Sequence, residues 1–229
     1  MVIVHAKIPT YNLPVWRSLP KLFQSFVYTT LDDKEHEGYK HPNGKVFKSM
    51  NFKLRYYGHD LDIYYNALDK EHEKRIAQEI LLNGLKLGAI HIASSQVELQ
   101  RREAIGETIK VGGFVAVGIK DGKMGKNKIY IEPKTDKFQE IIHNNILQKY
   151  EALFGEPYVG KLVIKPIHQK PNPKIFHYSQ GVIKAWYAIY QIQADKKMLE
   201  LILDTGMGEK TMQGLGFVEA IIRKEKQTQ

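Results

Sequence analysis

Along the first hundred positions, short apolar runs of strand character alternate with stripes at helical spacing. Residues 2–8 read as a strand that closes at Pro9, since proline cannot donate to a ladder. A polar, proline-bearing loop leads to a helix expected to begin near Leu19 and Pro20, with proline suited to the first turn. At 100° per residue, Leu19, Leu22, Phe23, Phe26 and Val27 share one stripe, and Lys21, Gln24, Ser25 and Tyr28 lie opposite. Tyr28 is therefore expected to face away from the core. Residues 32–44 form a polar loop holding His36, Lys40, His41 and a Pro-Asn-Gly turn. A strand over 45–57, a turn at Gly58-His59 and a partner strand over 61–68 make a hairpin. Asp69 caps a helix through Leu82 with Ile76, Ile80 and Leu81 inward, Asn83-Gly84 ends it, and 85–93 reads as one further strand.

From Ser94 to Gly113 the composition turns polar, and a strand extension or a domain junction fits equally well. Beyond it the element order recurs. Residues 114–119 and 129–132 are short strands around a Gly-Lys turn, and Asp136 caps a helix running to Phe154. Residues 162–167 and 183–192 pair as a hairpin with a long basic tip over 168–174, Asp195 caps the last helix, and 217–222 is the final strand. Strand, helix, strand, strand, helix, strand thus occurs twice, with an extra strand near the start of the second set and no repeat at the level of sequence. The expected fold is α+β: two tandem ferredoxin-like (RRM-like) domains with antiparallel sheets, residues 1–100 and 101–229, the second carrying a glycine-rich loop.

That loop, Gly206-Met-Gly-Glu-Lys-Thr-Met-Gln-Gly-Leu-Gly216, puts four glycines in a helix-to-strand connection. Bare amides, absent Cβ atoms and Lys210 together suit an anionic backbone. A Walker A loop is ruled out because Glu209 stands between glycine and lysine, and a dinucleotide fingerprint because the order of helix and strand is reversed. The purely structural alternative is a helix end at Gly206 followed by an ordinary glycine-rich turn.

Composition narrows the chemistry. Apolar residues make up 43% and charged residues 26%, which suits a sizeable core. Lysine and arginine number 34 against 25 acids, an excess that favours a polyanionic partner. The absence of cysteine removes disulfides, thiolate zinc sites and cysteine nucleophiles. The apolar start is too short for a signal peptide and no stretch is long enough to span a bilayer, so a soluble cytoplasmic protein with no membrane partner is expected. His36-Glu37 and His72-Glu73 lack the second histidine of a zincin helix, and Asp60, Asp62, Glu71 and Glu73 sit where turns and helix starts call for acids. No metal and no cofactor are expected.

A metal-free route to RNA cleavage needs only the ribose 2′-hydroxyl, a base, an acid and a cation. Histidine, with an ordinary pKa near 6.5, can serve either proton transfer. His36, Tyr28 and Lys45 are the candidates, and solvated loop residues are the alternative reading of His36 and Lys45. The 13 tyrosines and 9 phenylalanines offer stacking platforms for bases, although most must fill cores.

The glycine loop with its following Phe217-Val-Glu-Ala-Ile221, the segment Gly181-Val-Ile-Lys-Ala-Trp-Tyr-Ala-Ile-Tyr190, and Leu22-Phe-Gln-Ser-Phe-Val-Tyr28 with His36-Glu37 together resemble the CRISPR-associated endoribonucleases that process repeat RNA. These belong to the RAMP group, marked by a C-terminal glycine-rich loop. The resemblance implies a metal-independent cut within each repeat of a precursor CRISPR RNA, leaving 2′,3′-cyclic phosphate and 5′-hydroxyl ends. It implies catalytic roles for Tyr28, His36 and Lys45, with Lys40 or Lys48 competing for the lysine and His41 for the histidine. RNA contact falls on Gly206, Gly208, Lys210, Gln213, Gly214 and Gly216. A non-catalytic RNA-binding subunit of a CRISPR ribonucleoprotein is the alternative. A homodimer and a place beside CRISPR effector subunits both stay open as states of assembly.

Overall fold

Val2, Val4 and Ala6 are buried while the residues between them are not, the alternation of a strand with one face on a core. The computed structural model describes residues 1–9, 13–120, 128–167, 170–178 and 181–221. Its elements are β1 (Val2–Lys7), α1 (Leu13–Thr30), α2 (Asp33–Glu37), β2 (Tyr39–Lys40), β3 (Val46–Phe47), β4 (Met50–Tyr57), β5 (Asp60–Ala67), α3 (Lys70–Asn83), β6 (Leu85–Leu87), β7 (Ile90–Ile92) and β8 (Gln96–Leu99). The second half adds β9 (Thr108–Val115), β10 (Gly118–Lys120), β11 (Lys128–Tyr130), α4 (Asp136–Phe154), β12 (Val163–Pro166), β13 (Asn172–Tyr178), β14 (Gly181–Gln193), α5 (Lys196–Thr205) and β15 (Glu219–Ala220).

The fold is α+β with two ferredoxin-like antiparallel sheets. The first runs β4-β5-β1-β8, with Val2 opposite Tyr65, Val4 opposite Ile63 and Ala6 opposite Leu61, all buried. The second runs β12-β14-β9-β15, and β13 adds to the first half of β14. Both sheets place their strands in the spatial order second, third, first, fourth, the pattern produced when two strand-helix-strand units interleave. One core gathers Leu19, Phe23, Phe52 and Ile76, another Phe138, Ile142, Tyr190 and Leu199. Met212 from the C-terminal loop belongs to the first core and Met207 to the second, so that loop is wedged between them. No helix among the described residues is long and apolar enough to cross a membrane.

Several expectations are corrected. Helix α1 starts at Leu13 rather than near Leu19: Pro14 takes the first turn, and Pro20 is interior. Core packing through Leu19 and Phe23, and Trp16 against Tyr56 at 4.8 Å, offsets the helix bond that Pro20 removes. Leu81 is 62% exposed, because it lies about 110° from the centre of the stripe made by His72, Glu73, Ile76, Ala77 and Ile80. The strand expected over 85–93 is a hairpin, β6 with β7, turning beside Gly88 at φ +62°. The fourth strand of the first sheet is instead β8, paired to β1 within the polar stretch. The cap of α4 is Thr135, whose hydroxyl accepts from Phe138 N at 3.2 Å, not Asp136. The strand expected over 45–57 is broken into β3 and β4, and residues 172–174 of the expected tip belong to strand β13. The Gly-Lys turn over 121–127, His168 and Ile222 lie outside the described residues.

Candidate active site

Asp32 caps α2 by accepting from Glu35 N at 3.2 Å, so part of the expected polar loop is a short helix. Glu35 on that helix is buried; its carboxylate accepts from the Tyr39 hydroxyl at 2.7 Å and from the Ser49 hydroxyl. These bonds fix α2 against β2 and the residue just before β4, and so place His36, whose side chain is exposed. The His36 ring lies 4.9 Å, centre to centre, from that of Tyr28. Tyr28 is half-buried at the margin of the first core rather than on a free polar face, because α2 folds back over it. Burial pushes its hydroxyl up to about 12, against a hydrogen bond from Gln24 that works the other way.

Lys48 completes the cluster. Its Nζ is 5.0 Å from the centre of the Tyr28 ring and donates to the backbone carbonyls of His36 and, at 3.2 Å, Glu35. Burial lowers its pKa, and the nearby Glu35 charge opposes that shift. Tyr28, His36 and Lys48 line one hollow of 550 Å³. Lys45 lines the neighbouring cleft, but its Nζ donates to Gln148 Oε1 at 2.9 Å. Lys40 is exposed on β2, and the Nε2 of His41 meets Glu151 at 3.1 Å on α4. Of the lysines and histidines weighed from sequence, Lys48 and His36 are the two brought to Tyr28.

The adjoining cleft, 570 Å³, runs from Tyr28 and Lys48 to Gly208, Lys210 and Gln213. Among the described residues six lysines line it (Lys45, Lys48, Lys120, Lys128, Lys149, Lys210) against one acid, Glu209, which pairs with Lys128. Its potential is therefore strongly positive. Among the described residues no three His, Asp or Glu side chains gather as metal ligands would.

The glycine loop turns different groups inward and outward. Gly206 N donates to Ile202 O, Met207 N to Gly216 O, Glu209 N to Ala116 O and Gly216 N to Phe114 O, all at 2.8–2.9 Å. A Cβ on Gly216 would stand 2.3 Å from Met207 O, and one on Gly206 would stand 2.5 Å from Asn51 Nδ2. These two glycines let backbone pack on backbone, and their amides are already engaged. Gly214 meets nothing closer than Phe52 at 3.6 Å, and Lys210 and Gln213 line the cleft together with Gly208, where a Cβ would stand 2.6 Å from Ala116 O. Lys210 holds φ +67°, which turns its side chain at the loop's bend.

A family model described as CRISPR associated protein Cas6, C-terminal, matches residues 96–220, more than half of the chain. The chain belongs to the Cas6 family. The CRISPR-associated endoribonuclease Cas6 of Pyrococcus furiosus is 26% identical over 147 residues, 62% of this chain and 55% of that protein, so the match spans only about half the length of that curated relative. A Cas6-related protein of Pyrococcus furiosus superposes with a TM-score of 0.71 at 16% identity, covering 98% of this chain and 99% of the other. A RAMP protein that binds different RNA substrates gives 0.71 at 14% identity over 97% and 100%. At such identities the superpositions establish the shared fold.

The Cas6 match contains the glycine loop, β13 and β14, whereas Tyr28, His36 and Lys48 lie before residue 96. The loop reaches them only through the tertiary structure. Three residues around this cluster and cleft had no sequence signal as functional groups: Glu35, Gln24 and Lys149. Lys149 is 2% exposed, and its Nζ donates to Thr205 O at 3.2 Å and Gly206 O at 2.7 Å, tying α4 to the start of the loop. Burial pushes it down to about 7. On a helix of mixed polarity it reads as one more surface lysine.

Proposed function

We propose that this Cas6-family chain is a metal-independent endoribonuclease that cuts precursor CRISPR RNA within its repeats. The observation that carries the proposal is the meeting of Tyr28, His36 and Lys48 at one end of a lysine-lined cleft whose other end is the glycine loop. A ribonucleotide strand laid along the cleft brings a phosphate to the three side chains, held by Lys210 and its neighbours. His36 takes the 2′-hydroxyl proton as the 2′-oxygen bonds to phosphorus. The bond from phosphorus to the 5′-oxygen breaks, and that oxygen leaves as a hydroxyl with the proton of Tyr28. The Tyr28 hydroxyl is protonated at neutral pH and so has the proton to give, although burial, by raising its pKa, makes the Lys48 charge beside the ring necessary to support the phenolate. The Lys48 ammonium offsets the charge that builds on the phosphorane and then on the phenolate. The products are a 2′,3′-cyclic phosphate and a 5′-hydroxyl, and no redox partner or added nucleophile enters.

The test is incubation of the protein with its cognate repeat RNA in EDTA, with end analysis of the products. Cleavage at an unchanged rate with a cyclic phosphate end is expected. Binding without cleavage, or cleavage only after added magnesium, overturns the proposal, the first outcome in favour of an RNA-binding subunit.

A further inference from the structure

Strand β13 ends at Tyr178, whose hydroxyl donates to the side-chain oxygen of Gln24 on α1, 154 positions away in sequence. Gln24 stands one turn before Tyr28, so the two side chains share a face of the helix, and both line the cleft and the hollow beside it. The Tyr178 ring is itself held, packed with Phe176 against Ile183, Ala185 and Leu215, the last from the glycine loop.

We propose that Tyr178 and Gln24 form a hydrogen-bond chain that aims the Tyr28 hydroxyl, with Gln24 as the positioning residue for the reaction proposed above, on which this inference rests. A glutamine amide has one acceptor end and one donor end. With Oε1 receiving the Tyr178 hydroxyl, Nε2 is the end presented to Tyr28. The Tyr28 oxygen then accepts from Gln24, so its own hydrogen cannot point back along the helix and turns toward the cleft. The direction of the Gln24 effect agrees: its hydrogen bond favours the ionised phenol, as only a donor does. The titratable groups about the Tyr28 ring are Lys48, and His36 and Glu35 from α2. None of them replaces the Gln24 donor. Because the cluster that Tyr178 packs against includes Leu215, the chain runs from the seat of the glycine loop to Tyr28.

The experiment places 3-fluorotyrosine at position 28 and follows its fluorine shift through an alkaline titration in the parent, Gln24→Ala, Gln24→Glu and Tyr178→Phe proteins. Single-turnover cleavage and RNA binding are measured on the same variants with tyrosine at position 28. The titration midpoint is expected to rise by about one pH unit in Gln24→Ala and further in Gln24→Glu, which replaces the donor with an acceptor and a charge. Tyr178→Phe, which keeps the ring packing, is expected to shift the midpoint upward by less. The cleavage rate is expected to fall by about 10-fold to 100-fold in Gln24→Ala with RNA affinity unchanged. Midpoints equal to the parent in both Gln24 variants overturn the chain, and a parental cleavage rate in Gln24→Ala overturns the positioning role. If the parent cleaves no RNA, the endoribonuclease reading fails by itself, and the fluorine midpoints still decide whether the chain exists.

Discussion

Lys48 holds its ammonium 5.0 Å from the centre of the Tyr28 ring, while Lys45, three residues earlier, reaches the Gln148 side chain at 2.9 Å. The strand pairing makes this choice: β3 ends at Phe47, and the chain turns Lys48 back across α2 toward the His36 carbonyl. Replacing Lys48 by alanine is expected to lower single-turnover cleavage by about 100-fold to 1,000-fold. Lys45→Ala, which loses a partly screened charge, is expected to change it by no more than roughly fivefold. The two rates, measured on one repeat RNA, decide between the lysines.

Burial holds the Lys48 pKa below its ordinary 10.5. Since the charged form is the active one, its contribution is present at low pH and is lost as pH rises through the folded-state value. The alkaline fall in cleavage should therefore begin below pH 10.5 in the parent. In Lys48→Arg it should move upward, because the guanidinium stays charged throughout. A pH–rate profile on both proteins checks the shift.

Gly216 and Gly214 share a loop and a positive φ but not a surrounding. A Cβ at 216 would sit 2.3 Å from Met207 O, whereas at 214 the nearest atom is 3.6 Å away. Gly216→Ala is expected to cost on the order of 3 kcal/mol or more, through clash with backbone. Gly214→Ala should cost about 1 kcal/mol, from left-handed strain alone. Urea unfolding of the two variants makes the comparison.

Lys149 is a stability group with a pH signature. Its folded pKa, about 7, lies below the ordinary 10.5, so between these values the unfolded chain binds a proton that the folded chain does not. Stability therefore rises with pH across that window. The neutral amine still has two N–H donors for Thr205 O and Gly206 O. Lys149→Met orphans both carbonyls at about 1–3 kcal/mol each, partly offset near neutral pH by removal of the buried charge. The deficit of the variant should widen from pH 7 to pH 10 in denaturation series.

RNA held by the lysine cleft should bind with steep salt dependence. Removing one phosphate contact, as in Lys210→Ala, is expected to reduce the slope of log K against log salt by about 0.7 for a single strand. An unchanged slope removes Lys210 from the contact set.

Elements governed by local rules were legible. Asp69 and Asp195 cap α3 and α5 through their side chains, Gly58-His59 turns the β4–β5 hairpin, and Gly206 ends α5, because caps and turns are settled by a few neighbouring residues. Misreadings came where packing outweighs a local signal. Pro20 suggests a helix start, yet the helix runs through it because Leu19 and Phe23 are in the core. The run over 85–93 looks like one strand, but Gly88 allows a turn that lets Leu85, Leu87 and Ile92 all be buried.

The two-sheet plan, the basic excess and the glycine-rich connection are written in the sequence by period, cap and composition, all of which act over a few residues. Which lysine meets Tyr28, which loop glycines face the cleft and which pack on backbone, and the reach of Tyr178 to Gln24 were decided only by the tertiary structure. Each of those depends on how surfaces from distant parts of the chain come to rest on one another, as with Gly206 against Asn51 or Lys149 beneath Thr205, and no local pattern encodes that placement.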